Sequence, residues 1–338
     1  MKILLAFSGG IDSCAAVTIL ESQGFEVEAV TIDMIGDEML LTTARMRAAE
    51  LGITLHEVNA REIFRREVVD DFCAQYLSGR TPAPCTRCNS EIKWRILAQT
   101  ADRLGIEKIA TGHYFQIERE GTKHYVARAK DCRKDQSYYL WGVAQSILAR
   151  AVTPMGEMIK EDVKATSSIK GESMGVCFLG KRPYAEFLES RGHAMPSGYM
   201  VDKQGEVVSR HNGIARYTIG QKRGEGIPEG LRVVAIRGAE NQIVVGSNDH
   251  LFHHTLHLGD CLFVDPTGVE LLDNLRVMVR GLGLNPQGDA RVRLSADSTR
   301  ATIHLTTPAW APAPGQPIVI YSHDRVVGGG YLLSSENA

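Results

Sequence analysis

The amino-acid sequence predicts an α/β protein: an N-terminal parallel-sheet domain, then a small central domain and a C-terminal β-barrel. Two observations carry this expectation. Through about residue 112, strand-like and helix-like segments alternate, which implies a parallel sheet covered by helices with ligands at the carboxyl ends of the strands. From about residue 195, short β-rich segments separated by turn signals take over, a pattern of small barrels.

Each element has its own signal. Ile3-Leu4-Leu5-Ala6-Phe7 reads as a buried first strand, and the segment from Ser13 to Leu20 as the opening of a helix. Residues 27–32 and 54–58 are strand candidates, and residues 42–51 form a helix ending at Gly52. Helical patterns follow over 63–76 and 91–104, then a short strand over 108–111. In the second half, Asp202-Lys203-Gln204-Gly205 and Asn212-Gly213 mark turns, and segments 319–321 and 325–327 flank a hairpin-like turn. Pro308, Pro312, Pro314 and Pro317 read as ordered loops of the last domain, and no internal repeat is evident.

Composition narrows the functional classes. A chain of 338 residues suits two or three domains, and 43% hydrophobic residues supply a sizeable core. No apolar run reaches membrane-spanning length, and the first residues enter a strand without a signal-peptide pattern, so a soluble cytoplasmic protein without membrane partners is expected. The net charge of −2 counts mildly against nucleic-acid binding, yet a local patch decides such binding. One candidate patch carries Arg119, Lys123, Arg128, Lys130, Arg133 and Lys134 against Glu120 and Asp131. A solvated hairpin face explains the same charges.

Ser8-Gly9-Gly10-Ile11-Asp12-Ser13 joins the first strand to the first helix. Glycines admit a ligand close to the backbone, and a helix start offers unpaired N–H groups with a dipole that favours anions. The turn therefore suits a phosphate or pyrophosphate. It lacks the lysine of the Gly-rich nucleotide loop and the third glycine of the dinucleotide fingerprint. It resembles the pyrophosphate (PP) loop of ATP-pyrophosphatases, which split ATP into AMP and pyrophosphate while adenylating a substrate.

Seven cysteines, an odd number, favour thiol chemistry or metal binding over a disulfide framework. Thr81-Pro82-Ala83-Pro84-Cys85-Thr86-Arg87-Cys88-Asn89 reads as a rigid loop delivering two thiols to a helix start, where Arg87 and Lys93 would lower their pKa. Cys177 sits in Gly175-Val176-Cys177-Phe178-Leu179-Gly180. A structural zinc would need a second ligand pair, which the sequence lacks.

A family resemblance follows from an ordered set of motifs: Gly79-Arg80-Thr81-Pro82, Cys88-Asn89-Ser90-Glu91-Ile92-Lys93-Trp94, Ala110-Thr111-Gly112-His113-Tyr114, Lys134-Asp135-Gln136-Ser137-Tyr138-Tyr139-Leu140, Gly175-Val176-Cys177-Phe178 and Tyr217-Thr218-Ile219-Gly220-Gln221-Lys222-Arg223-Gly224. Together they resemble the bacterial tRNA-specific 2-thiouridylase family (MnmA), from the first strand to Gly328-Gly329-Gly330. The resemblance implies sulfur transfer to C2 of the wobble uridine, with ATP adenylating the uracil oxygen. It implies a nucleotide site at Ala6, Phe7, Ser8, Gly9, Gly10, Ile11, Asp12, Ser13, Ile32 and Gly112, with Asp12 near Mg²⁺ and pyrophosphate. Ala83, Pro84, Cys85, Lys134, Asp135, Gln136, Lys222 and Arg223 would meet tRNA. Cys177 would carry a persulfide and Cys88 would resolve it as a disulfide. The alternative mechanism ligates a [4Fe-4S] cluster through Cys85, Cys88 and Cys177, leaving one iron open to sulfide. The third thiol tilts the expectation toward the cluster.

The implied domains are 1–143 for the PP-loop catalytic domain, with 171–183 returning to the active site, 144–255 for a mostly β tRNA-contacting domain, and 256–338 for the barrel. Partners would be tRNA and a sulfur donor (a cysteine desulfurase, a relay protein or free sulfide), for a monomer or weak dimer. Two other readings stay open: an adenylating ligase or amidotransferase acting on a small molecule, and a non-catalytic tRNA-binding iron–sulfur protein. The chain departs from the family in a short segment after Ile32, in Ala83 at a usual asparagine, and in lacking an Arg-Tyr pair around 284–294. His250, His253, His254 and His257 read as surface or packing residues, and Cys14, Cys73, Cys132 and Cys261 as small buried hydrophobes; packing explains Trp94 and Trp141 as well as base stacking does.

Overall fold

A computed structural model describes every residue except 168, 170–174, 181, 282–284 and 338. The chain forms two compact units. One comprises Met1–Val68, Cys85–Phe178 and Asp324–Val326, and the other Val69–Pro84, Leu179–His323 and Val327–Ala338.

The first unit is built on strands β1 (Lys2–Ala6), β2 (Glu26–Asp33), β3 (Thr54–Asn59) and β4 (Lys108–Thr111), a hairpin of β5 (Gln116–Glu120) and β6 (Lys123–Ala127), and β7 (Ala151–Val152). The parallel sheet runs β3-β2-β1-β4-β7. Ile3, Leu4 and Leu5 of β1 are fully buried because β1 is the central strand and is covered on both faces. Their core includes Ala16, Val17 and Leu20 of helix Ile11–Ser22. Strand order reverses between β1 and β4, and such a switch point leaves a crevice at the carboxyl ends.

Three helical stretches differ from the sequence expectation for local reasons. The helix expected over 42–51 spans Glu38–Leu51, because Asp37 caps it by accepting from the N–H groups of Met39 (2.9 Å) and Leu40 (3.3 Å). The pattern over 91–104 begins earlier, as Pro84–Cys88, a π-helical turn Asn89–Lys93 and helix Trp94–Leu104. The cysteines therefore lie on a helical turn, rather than in a loop ahead of one. The stretch 63–76 is likewise interrupted by a π-helical turn, Arg65–Val69. A 3.6-residue pattern does not reveal such insertions.

The second unit holds a small sheet of β8 (Gly198–Val201), β9 (Val207–His211), β10 (Arg232–Arg237) and β11 (Gln242–Gly246), ordered β10-β11-β8-β9. It also holds a barrel of β12 (Phe252–Phe263), β13 (Leu275–Met278), β14 (Ala290–Leu294), β15 (Ala301–Trp310), β16 (Pro317–Ser322) and β17 (Arg325–Glu336). The order β12-β15-β14-β13-β16-β17 closes through β12–β17 pairing into six strands, confirming the expected barrel. Closure removes exposed edges. The hairpin expected near 319–327 is β16–β17.

Candidate functional site

The phosphate loop follows β1 at the switch point. Gly9 has φ +72, and a Cβ there would lie 3.0 Å from Ala44 Cα and 3.1 Å from the Thr43 carbonyl oxygen, so only glycine fits. Gly10 caps helix Ile11–Ser22 with no side-chain hydrogen bond, leaving N–H groups of the first turn for a ligand. Ser13 Oγ donates to the Gly10 carbonyl at 3.0 Å, and Ser8 Oγ accepts from Gly10 N at 3.3 Å. Gly112, just after β4, packs so closely that a Cβ would meet Ser13 N at 3.1 Å and the Asp12 carbonyl carbon at 3.2 Å. The fold thus brings together Ala6, Phe7, Ser8, Gly9, Gly10, Ile11, Asp12, Ser13 and Gly112. Ile32 lies near the carboxyl end of the adjacent β2.

Asp12 Oδ1 accepts from Tyr114 Oη at 2.9 Å and from Lys160 Nζ at 2.6 Å. Lys160 is buried and carries no motif of its own, so sequence reasoning missed it. One carboxylate in a loop that also carries two serine hydroxyls suits Mg²⁺, which commonly takes one or two carboxylates and completes its shell with substrate phosphates and water. Asp12, Ser8 and Ser13 fit that ion, whose chemistry there would be to neutralise phosphate charge.

The thiols share the same unit. Cys88 is buried and its Sγ donates to Met34 Sδ at 3.7 Å, just beyond β2 on the carboxyl side of the sheet. Cys85 and Cys177 are exposed, and Phe178 packs edge-on against Phe64 with ring centroids 5.9 Å apart. Desolvation, the largest influence, raises all three thiols, and takes Cys88 up to about 12. Lys93 opposes this at each thiol, and a charged Cys177 would raise both Cys85 and Cys88. The expectation of depressed thiol pKa is therefore corrected: burial outweighs the lysine. Arg87 is occupied elsewhere, its Nε donating to the Glu67 carbonyl at 2.8 Å. His113 senses the same lysine as the thiols. It follows Gly112, stacks on fully buried Trp94 (6.4 Å, 20°), and feels Lys93. Burial first, and then Lys93, pushes its pKa down to about 3.

The cluster expectation finds no support in the fold. Among the described residues no group of three or more Cys, His, Asp or Glu side chains is placed to hold a metal, and Cys85, Cys88 and Cys177 are all described. All seven cysteines are free thiols. Cys73 is buried as expected and Cys14 and Cys261 partly so, but Cys132 is exposed on a turn.

The residues expected to meet tRNA belong to both units. Asp135 is turned inward, accepting from Ala129 N at 2.9 Å and from Ser137 Oγ at 2.7 Å. Gln136 Oε1 accepts from Tyr114 N at 2.9 Å, so it positions the tyrosine that holds Asp12. Within the 119–134 patch, Lys130 and Arg133 are exposed, with Glu157 at 3.9 Å and Asp131 at 3.6 Å. In the second unit Lys222 and Arg223 lie exposed after the turn at Gly220. Residues 171–174 and 181 of the returning segment 171–183, and residue 284 at the start of the 284–294 stretch, lie outside the described residues. No helix of the described residues is long and apolar enough to cross a membrane.

Three family models match the chain in order: a tRNA methyl transferase HUP domain over residues 1–181, a tRNA methyl transferase PRC-barrel domain over 185–247 and an aminomethyltransferase beta-barrel domain over 264–332. A tRNA-specific 2-thiouridylase MnmA from Syntrophotalea carbinolica is 39% identical over 98% of both chains. The proteins of that name from Acidithiobacillus ferrooxidans (strain ATCC 53993) and Carboxydothermus hydrogenoformans are 34% and 35% identical, covering 99% and 98% of this chain and 99% and 97% of their own. On its switch-point phosphate loop, its thiols and these full-length matches, the chain belongs to the tRNA-specific 2-thiouridylase (MnmA) family.

Proposed function

We propose that this protein is an ATP-dependent tRNA uridine 2-sulfurtransferase acting through a protein persulfide. The observation that carries the reading is that phosphate loop and thiols lie in one compact unit: Gly112 packs on the first turn of the loop helix, and Cys88 meets Met34 just beyond the adjacent strand β2. Activation and sulfur delivery need neighbouring sites, because a leaving AMP must be displaced where it is made.

The chemistry balances as follows. Uracil O2 attacks the α-phosphorus of ATP and pyrophosphate leaves from the loop of residues 8–13. The terminal sulfur of a Cys177 persulfide attacks C2, and AMP departs with the former O2. Cys88 thiolate then attacks the Cys177 sulfur, leaving the outer sulfur on the base and a Cys88–Cys177 disulfide for an external thiol to reduce. A sulfur donor must load Cys177. Buried Cys88, its thiol raised by desolvation, fits a resolving thiol kept protonated until the persulfide sulfur has reached the base.

Residues 1–143 with the returning segment around Cys177 would be catalytic, 144–255 would contact tRNA and 256–338 would form the barrel; the three family matches support a three-part order, with their first boundary between 181 and 185. The tRNA contacts would include Ala83, Pro84, Cys85, Lys134, Lys222 and Arg223, in a cytoplasmic monomer or weak dimer. The test is thiolation of unmodified tRNA by purified protein with ATP, Mg²⁺ and a persulfide donor. Cys88→Ser and Cys177→Ser should abolish it, while Cys85→Ser in metal-free protein should stay active. Loss of activity in Cys85→Ser together with lost iron would revive the cluster.

A further inference from the structure

Lys160 is 3% exposed, and its Nζ donates to Asp12 Oδ1 at 2.6 Å while lying 5.7 Å from the Tyr114 ring centroid. Tyr114 Oη donates to the same carboxylate oxygen at 2.9 Å. The backbone of Lys160 is fixed as well: its N–H donates to Asp131 Oδ2 at 3.0 Å, and buried Asp131 also accepts from Arg133 N at 3.2 Å. A buried ammonium is costly unless paired and hydrogen-bonded. The carboxylate at the phosphate loop is therefore already engaged by a cation of the protein itself.

We propose that Lys160 is a placeholder cation of the phosphate loop. It holds Asp12 while nucleotide is absent, and donates to phosphate oxygens once a magnesium-bound triphosphate brings its own cation to Asp12. This rests on reading residues 8–13 as the ATP loop. The physical argument is an exchange of partners. Mg²⁺ alone would have to displace an ammonium at hydrogen-bond distance and leave it buried with a lost partner. A triphosphate alone would have to draw that ammonium off the carboxylate and leave Asp12 uncompensated. Metal and phosphate arriving together satisfy both groups, because Asp12 then faces Mg²⁺ and Lys160 faces phosphate. The pair thus makes metal and nucleotide binding interdependent.

Two variants of the whole protein, without tRNA, test this. Lys160→Met keeps the aliphatic bulk and removes the charge. With MgCl₂ and no nucleotide, its Tm should rise by a few degrees where wild type does not respond, and its Kd for ATP·Mg²⁺ should weaken at least about tenfold. Asp12→Asn releases the ammonium, and should bind ATP in EDTA about tenfold more tightly than wild type does. Wild-type protein that fails to bind ATP·Mg²⁺ at all would refute the ATP-loop reading itself. Normal wild-type binding, with Lys160→Met unchanged toward ATP·Mg²⁺ or Asp12→Asn no better than wild type in EDTA, would overturn the placeholder role alone. If Lys160→Met does not fold, the Asp12→Asn measurement decides.

Discussion

Burial of Cys88 makes a quantitative prediction about reactivity. Its thiol moves from an ordinary value near 9 up to about 12, chiefly by desolvation, despite the opposing charge of Lys93. Each pKa unit is tenfold in thiolate population, so at pH 8 the folded protein holds about a thousandfold less Cys88 thiolate than the unfolded chain. Thiolate is the species that alkylates. The perturbation is a pulse of iodoacetamide on native and urea-unfolded protein at pH 8, read by peptide mass spectrometry at each cysteine. Cys88 should be protected by about a thousandfold, while exposed Cys85 and Cys177 label far faster in the native protein. Linkage gives the same result in stability. The folded state retains the Cys88 proton that the unfolded state releases above pH 9, so this contribution is complete below 9 and is lost as pH rises toward 12. Native labelling of Cys88 within tenfold of the unfolded rate would refute the desolvation argument.

Four further outcomes follow. Lys93→Met should slow native labelling of Cys85 and Cys177 severalfold at pH 8, because the cation opposing their raised pKa is gone; unchanged rates would remove Lys93 from the thiol site. Gly112→Ala should cost about 1–3 kcal/mol by forcing a Cβ against the first turn of helix Ile11–Ser22, and should weaken ATP binding in parallel, both measurable by thermal shift with and without nucleotide. His113, held down to about 3, stays neutral in the fold while the unfolded chain protonates below about pH 6.5. Its contribution is thus present above pH 6.5 and lost toward pH 3, and His113→Asn should lessen the drop in urea midpoint between pH 7 and 5. Charge reversal at Lys130 and Arg133 should lower the magnitude of the salt slope of tRNA binding by about one unit per lost phosphate contact; an unchanged slope would exclude that patch.

What could be read from the sequence was whatever rests on local signals. The strand–turn–helix around Ser8 is contiguous in the chain, so residues 8–13 were readable as a phosphate site. Alternation of apolar segments gave the parallel sheet, and turn spacing gave the barrel. Lys160 was not readable, because its pairing with Asp12 joins residues 148 apart and a lysine in a polar stretch reads as solvated. The inward turn of Asp135 and Gln136 was hidden for a different reason: their partners, Ala129, Ser137 and Tyr114, are close in sequence but are set by the loop's path. The thiol expectation erred in sign. Sequence shows that Lys93 is near Cys88, but only the fold shows how completely Cys88 is removed from water.

The central claim is that ATP-driven activation and sulfur transfer converge on one uridine position. Nucleoside mass spectrometry of tRNA incubated with the protein, ATP, Mg²⁺ and a persulfide donor tests it most directly. The account predicts a 2-thiouridine-type nucleoside that appears only with ATP, with one AMP and one pyrophosphate formed per sulfur transferred, and that vanishes in Cys177→Ser. Sulfur incorporation without ATP, at a base other than uridine, or undiminished in Cys177→Ser would contradict it.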